Sequence, residues 1–240
     1  MEPIQPWGHL YAGRLEDRVL DSQALTGNPL GDPHRRPLIV QLPPAYDAEP
    51  DRRFPAIYVL QGFRHQVDDW RGHKPWERNP LEELDMSFVA GEAPPAIVVY
   101  VDAWTALGGS QFVDSPGTGR YATYLCDEVV PFVDGSYRTL ADAPHRGLAG
   151  HSSGGYGAAV NAMRRPDLFG GFITHAGDGL FELCYLPSFA AAVKALRDGY
   201  GGSYDAFWAD FRARPGRSRS GDGSLIEVYA MAAAYSADPD

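Results

Sequence analysis

The chain has few cysteines, few cations and no long apolar run. Its 240 residues hold two cysteines, Cys126 and Cys184. Two cysteines make no disulfide framework, and no C-x-x-C is present. Lys and Arg total 21 against 31 Asp and Glu, a formal net charge of −10. A protein that grips phosphate backbones shows the opposite sign, so nucleic acid and anionic membrane surfaces are not expected partners. No apolar run approaches the roughly 18 residues that would suggest a membrane span. Residues 1–6, Met-Glu-Pro-Ile-Gln-Pro, offer neither a basic n-region nor an apolar h-region. A cytoplasmic location is the expectation. No H-E-x-x-H, calcium loop or metal-spaced Cys/His cluster occurs, so no metal or other cofactor is expected. Internal repeats and low-complexity blocks are absent as well.

What remains is 44% hydrophobic and 12% aromatic, the composition of an ordinary globular chain able to bury a core without staples. One domain over residues 1–240 is expected. Residues 212–223, rich in Arg, Ser, Gly and Pro, read as a surface loop and not as a boundary. Short β-type runs recur at Arg14–Ser22, Leu38–Leu42, Ala56–Leu60, Ala96–Val101, Gly147–Gly150 and Gly171–His175. Three of them are nearly continuous in apolar residues, the pattern of parallel strands covered on both faces. Helical patterns lie between them. Asn79-Pro80-Leu81-Glu82 supplies an N-cap, a proline at the first helical position and an acidic first turn, with a stop near Gly91. Residues Tyr121–Val133 and Gly155–Arg165 carry helical spacing, the second ending at Pro166. Strands alternating with helices predict an α/β fold with a mostly parallel central sheet. Beyond Asp178 the pattern is helical, over about 187–236.

Gly150-His151-Ser152-Ser153-Gly154 matches G-x-S-x-G. The pattern alone is weak, but here it follows an apolar strand and opens a small-residue helix, the setting of a nucleophile elbow. A serine at such a strained turn needs neighbours without bulk, and Gly150 and Gly154 satisfy that need. The helix N-terminus behind Ser152 presents free N–H groups where an oxyanion forms. The bland reading is a glycine-rich strand-to-helix turn with an incidental serine. A second oxyanion donor would come from the turn Gln61-Gly62-Phe63 after the third strand, so the N–H groups of Phe63 and Ser153 form the candidate hole. Gly62, His151, Asp102 and Trp104 are candidate pocket-lining residues. His65 and His73 follow the Gly62 turn and read first as solvated loop histidines.

The elbow with its continuation Gly155-Tyr156-Gly157-Ala158, the Gln61-Gly62-Phe63 turn and the run Pro166-Asp167-Leu168-Phe169-Gly170 resemble the "Putative esterase" family of α/β-hydrolases. That family includes enterochelin esterases, esterase D (S-formylglutathione hydrolase), feruloyl esterases and mycolyltransferases. The resemblance runs from about Leu38 to His175. It implies a three-layer α/β-hydrolase sandwich and cleavage of a small-molecule ester or thioester through an acyl-enzyme on Ser152. Acyl transfer to an alcohol and a noncatalytic hydrolase-like binding scaffold are the alternatives. Substrate identity and oligomeric state stay open.

The triad of this fold runs Ser, acid, His in chain order. Only His175 follows Ser152, and only Asp167 lies between them. Asp167 is expected at the N-terminal edge of the next strand, away from the site. Asp178 is expected at the correct edge, with no histidine after it. The resemblance puts the acid and the histidine after two further strands. The expectation is therefore a chain truncated at its C-terminus, nearly inactive and poorly soluble by itself.

Overall fold

The computed structural model describes residues 8–214, 216 and 218–238. The reading of residues 1–6, and residues 215, 217, 239 and 240, lie outside it. Six strands form the main sheet: β1 (Arg14–Asp21), β2 (Arg35–Leu42), β3 (Ala56–Leu60), β4 (Ile97–Val101), β5 (Arg146–His151) and β6 (Gly171–His175), in the order β1-β2-β4-β3-β5-β6. Strands β4, β3, β5 and β6 pair in parallel. β2 runs antiparallel to both β1 and β4. The Leu38–Leu42 run is thus covered on both faces, as its composition predicts, without being parallel. Burial on two faces makes a strand continuously apolar, and strand direction does not enter.

The two faces are covered differently. Ile39, Val98 and Tyr100 pack toward Val67 and Leu81, at the start of helix α1 (Pro80–Ala90). Val40, Ile97, Val99 and Val101 pack toward Tyr124, Leu125 and Val129 of the helical stretch 121–136, and toward Ala158 and Ala162 of α2 (Ser153–Arg164). The alternation along β4 sends odd and even residues into two separate cores. The result is the three-layer α/β architecture that the sequence predicts. α1 starts as its sequence dictates. The Asn79 side chain accepts from the Leu81 and Glu82 N–H groups, and Gly91 closes the helix at φ 72°.

After β6 the chain is helical: α3 (Leu186–Tyr200), α4 (Tyr204–Arg212) and α5 (Asp222–Tyr235). Phe207, Trp208, Leu225 and Met231 form a third apolar cluster that reaches Leu107 and Tyr185. These helices form a cap with a core of their own. β6 is the sheet's last strand, and all five of its residues are exposed. No helix among the described residues is long and apolar enough to cross a membrane.

Candidate active site

The strand order reverses at β3. The chain steps from β3 to β4 on one side, then returns to lay β5 on the other. Such a switch point opens a crevice at the C-terminal ends of the strands. Leu60 of β3 stands opposite Gly150 of β5. Two residues beyond each partner lie Gly62 and Ser152, so the register itself sets the glycine turn beside the serine.

Ser152 occupies φ 55°, ψ −125°. A non-glycine residue held there stores about 1–3 kcal/mol of strain. Three backbone bonds hold it. Its N–H donates to the His175 carbonyl at 3.0 Å, and its carbonyl accepts from Tyr156 N–H at 3.0 Å and Asp178 N–H at 3.2 Å. The flanking glycines are sterically required. A Cβ at Gly150 would lie 2.1 Å from the Gly154 oxygen, and one at Gly154 would lie 2.2 Å from the Leu60 oxygen. α2 therefore begins in backbone contact with the end of β3.

The candidate oxyanion donors stand around this contact. Ser153 opens α2, where a first-turn N–H has no carbonyl four residues back within the helix. In the opposing turn, the Gly62 carbonyl accepts from His65 N–H at 3.1 Å and the Phe63 carbonyl from Gly109 N–H at 2.8 Å. Ser152 opens onto a cavity of about 310 Å³ that Gly62, Phe63, His65 and His151 also line. The cap supplies the remaining wall: Cys184, Tyr185, Glu227 and Met231, with Arg64 at the turn. A neighbouring cavity of about 520 Å³ shares Gly62, His65 and His151 and extends past His175 to Trp70 and Asn79.

Asp102 and Trp104 sit elsewhere. Asp102 is 5% exposed, and its carboxylate accepts from the Arg36 guanidinium, which also donates to the Trp104 carbonyl. Burial raises the Asp102 pKa against the opposing charge and hydrogen bonds of Arg36. This pair ties the loop after β4 to β2, and Asp102 lines neither cavity beside Ser152. Trp104 borders a third cavity, with Phe63 and Arg64. His73 turns away to Glu82, at 2.9 Å. Asp167 pairs with Arg165 at 3.0 Å in the turn before β6, at the far edge of the sheet. Among the described residues, no group of three or more His, Cys, Asp and Glu side chains is placed to hold a metal ion.

One contact went unread in the sequence. The Ser152 hydroxyl donates to Asp178 Oδ1 at 3.3 Å, and the Tyr185 hydroxyl donates to Asp178 Oδ2 at 2.6 Å. Asp178 was legible as a residue at the correct sheet edge. Tyr185 carried no signal, because its approach depends on the cap.

With this geometry in view, residues 33–227 match the family model described as "Putative esterase". The chain belongs to this esterase family. An endo-1,4-beta-xylanase/feruloyl esterase of Xylanibacter ruminicola is 27% identical over 118 residues, 49% of this chain and 16% of that protein. A solved ferulic acid esterase superposes with TM-score 0.54 at 27% identity, over 67% of this chain and 58% of the other. An S-formylglutathione hydrolase of Agrobacterium tumefaciens shares the α/β-hydrolase fold, with TM-score 0.53 and 18% identity over 74% and 62%. The chain spans less than two thirds of each of these relatives.

Proposed function

We propose that this chain carries the nucleophile and oxyanion machinery of a serine esterase acting on a small carboxylic ester or thioester. The observation that carries the reading is the backbone of Ser152, strained at φ 55° between a strand and a helix and open to a cavity of about 310 Å³. Strain of this kind persists only where the surroundings over-determine it, and it gathers at active sites. The volume lies at the small end of ligand pockets.

In this mechanism Ser152 Oγ attacks the acyl carbonyl carbon. The carbonyl oxygen, becoming an oxyanion, is received by the N–H groups of Phe63 and Ser153, and the partial positive charge of the α2 N-terminus adds to them. A general base takes the Oγ proton as the new bond forms and returns it to the alcohol or thiol that collapse expels, leaving the acyl group on Oγ. Water then attacks the acyl-enzyme by the same route, which releases the acid and restores the serine. Gly62 and His151 border the space the substrate enters.

A fluorophosphonate probe followed by peptide mass mapping tests the reading. Phosphonylation of Ser152, abolished in Ser152→Ala while the circular dichroism spectrum is kept, is the expected result. An unlabelled native chain, or a Ser152→Ala variant labelled as fast as native, would refute it and favour a noncatalytic scaffold.

A further inference from the structure

The acceptor of the Ser152 hydroxyl is the Asp178 carboxylate. Among the described residues, no arginine, lysine or histidine nitrogen lies within 4.0 Å of Asp178, although Arg64, His65 and His151 line the same cavity. The carboxylate's hydrogen bonds run to the hydroxyls of Ser152 and Tyr185, with the Cys184 thiol beside it. Ser152 approaches one oxygen at 3.3 Å and Tyr185 holds the other at 2.6 Å. Nor does Asp178 serve as a helix cap. The short helix Phe181–Cys184 starts from Leu180, and no side chain caps it.

Tyr185 is itself fixed. It is 7% exposed, and its ring packs on Phe181 at 5.0 Å and on Tyr235 of α5 at 6.3 Å between centroids. Burial and the neighbouring Tyr235 and Asp178 push its phenol pKa far up, so at neutral pH it donates. Tyr185 therefore keeps its proton at neutral pH and donates it to the Asp178 carboxylate. The backbone closes the arrangement from below, where Asp178 N–H donates to the Ser152 carbonyl at 3.2 Å.

We propose that Asp178, held by Tyr185, is the positioning residue of the Ser152 nucleophile. It takes the hydroxyl proton as a hydrogen bond, fixes the Oγ rotamer and leaves the lone pairs of Oγ toward the cavity. The proposal rests on the reading of Ser152 as nucleophile. It makes the helical cap part of the active site, because the aromatic packing of Phe181, Tyr185 and Tyr235 sets the carboxylate that sets the serine.

The test is the kinetics of fluorophosphonate inactivation, with maximal rate and half-saturating concentration resolved, on native chain, Asp178→Asn, Asp178→Glu and Tyr185→Phe. Loss of a hydrogen bond to a charged group corresponds to about 10-fold to 100-fold. Asp178→Asn is expected to lose that much in maximal rate, with the half-saturating concentration and thermal midpoint held. Asp178→Glu is expected to recover part of the rate, and Tyr185→Phe to fall about threefold to tenfold. A purely structural role would move the midpoint and both constants together. Asp178→Asn at the native rate overturns the proposal. If that variant does not fold, Tyr185→Phe decides: a slower maximal rate supports the proposal and a native rate overturns it. A native chain that takes no label overturns the nucleophile reading and this proposal with it. A labelled native chain with indifferent variants overturns this proposal alone.

Discussion

Replacing Gly154 by alanine sets two effects of opposite sign against each other at the start of α2. Helix propensity favours the change, since alanine in a helix is better than glycine by about 1 kcal/mol. Packing opposes it. The new Cβ would stand 2.2 Å from the Leu60 oxygen and 2.6 Å from the Gln61 oxygen, where real Cβ atoms essentially never come within 3.0 Å. Both obstacles are backbone atoms at the end of β3, which is paired on both sides by β4 and β5. They cannot swing aside as a side chain would. α2 must retreat by about 1 Å, and overpacking of this kind costs about 1–3 kcal/mol. The packing effect wins, or at best cancels. The geometric consequence is larger, because the retreat separates Ser152 and the Ser153 N–H from the Gly62–Phe63 turn. A misplacement of about 1 Å at reacting groups costs about 100-fold in rate. Gly154→Ala is thus expected to melt at or a few degrees below the native midpoint while fluorophosphonate labelling of Ser152 slows by about two orders of magnitude. Calorimetry and labelling kinetics on one preparation check both halves. A variant with raised stability and native labelling would show that the β3–α2 contact is not rigid, and the reasoning would fail.

Arg36→Ala leaves the Asp102 carboxylate buried and unpaired. Breaking a buried pair costs about 3–5 kcal/mol, and for a chain of this size the thermal midpoint should fall by roughly 6–20 °C; a shift under 2 °C would contradict the pairing. Burial pushes the Cys126 thiol up to about 12 and raises the phenols of Tyr58, Tyr100, Tyr121 and Tyr124. The folded state keeps these protons where the unfolded state sheds them. Stability is therefore full below about pH 8.5 and falls as pH rises through 9 to 12. Midpoints measured from pH 8 to 11 should decline, and absorbance at 295 nm should show these tyrosines ionising only with unfolding. Asn79→Ala removes the acceptor of the Leu81 and Glu82 N–H groups and is expected to cost about 1 kcal/mol in urea denaturation, with an unchanged m-value.

The features legible in the sequence are those whose cause is local. The α1 cap is written in four consecutive residues, and the structure forms it at Asn79. The elbow was legible for the same reason: Gly150 and Gly154 are required by clashes within a few residues of Ser152 and with the adjacent strand. Strand positions followed from apolar runs, as at Ile97–Val101, where every residue is buried. Strand direction did not, and β2 is antiparallel on both sides because two covered faces look alike whichever way the chain runs. Asp102 was read as a possible pocket residue because it ends a central strand. Its partner Arg36 stands 66 positions away in sequence, on the neighbouring strand β2, and nothing near Asp102 announces it.

The Asp178 contact marks where local reasoning stops. A strand end places Asp178 at the active-site edge, but which way its carboxylate turns depends on Tyr185. Tyr185 in turn is placed by Phe181 and by Tyr235, 50 residues further on. No spacing rule links those positions. The small residues that the Ser152 turn needs lie within five consecutive positions, so a motif can carry them, although His175, Asp178 and Leu60 also hold or crowd the turn. The direction of the Ser152 hydroxyl is a property of the folded cap, so only the three-dimensional packing can carry it. The two claims therefore fail independently: an elbow substitution such as Gly154→Ala displaces Ser152 from the proposed oxyanion donors, whereas Tyr185→Phe leaves the elbow intact and loosens only the hydroxyl it presents.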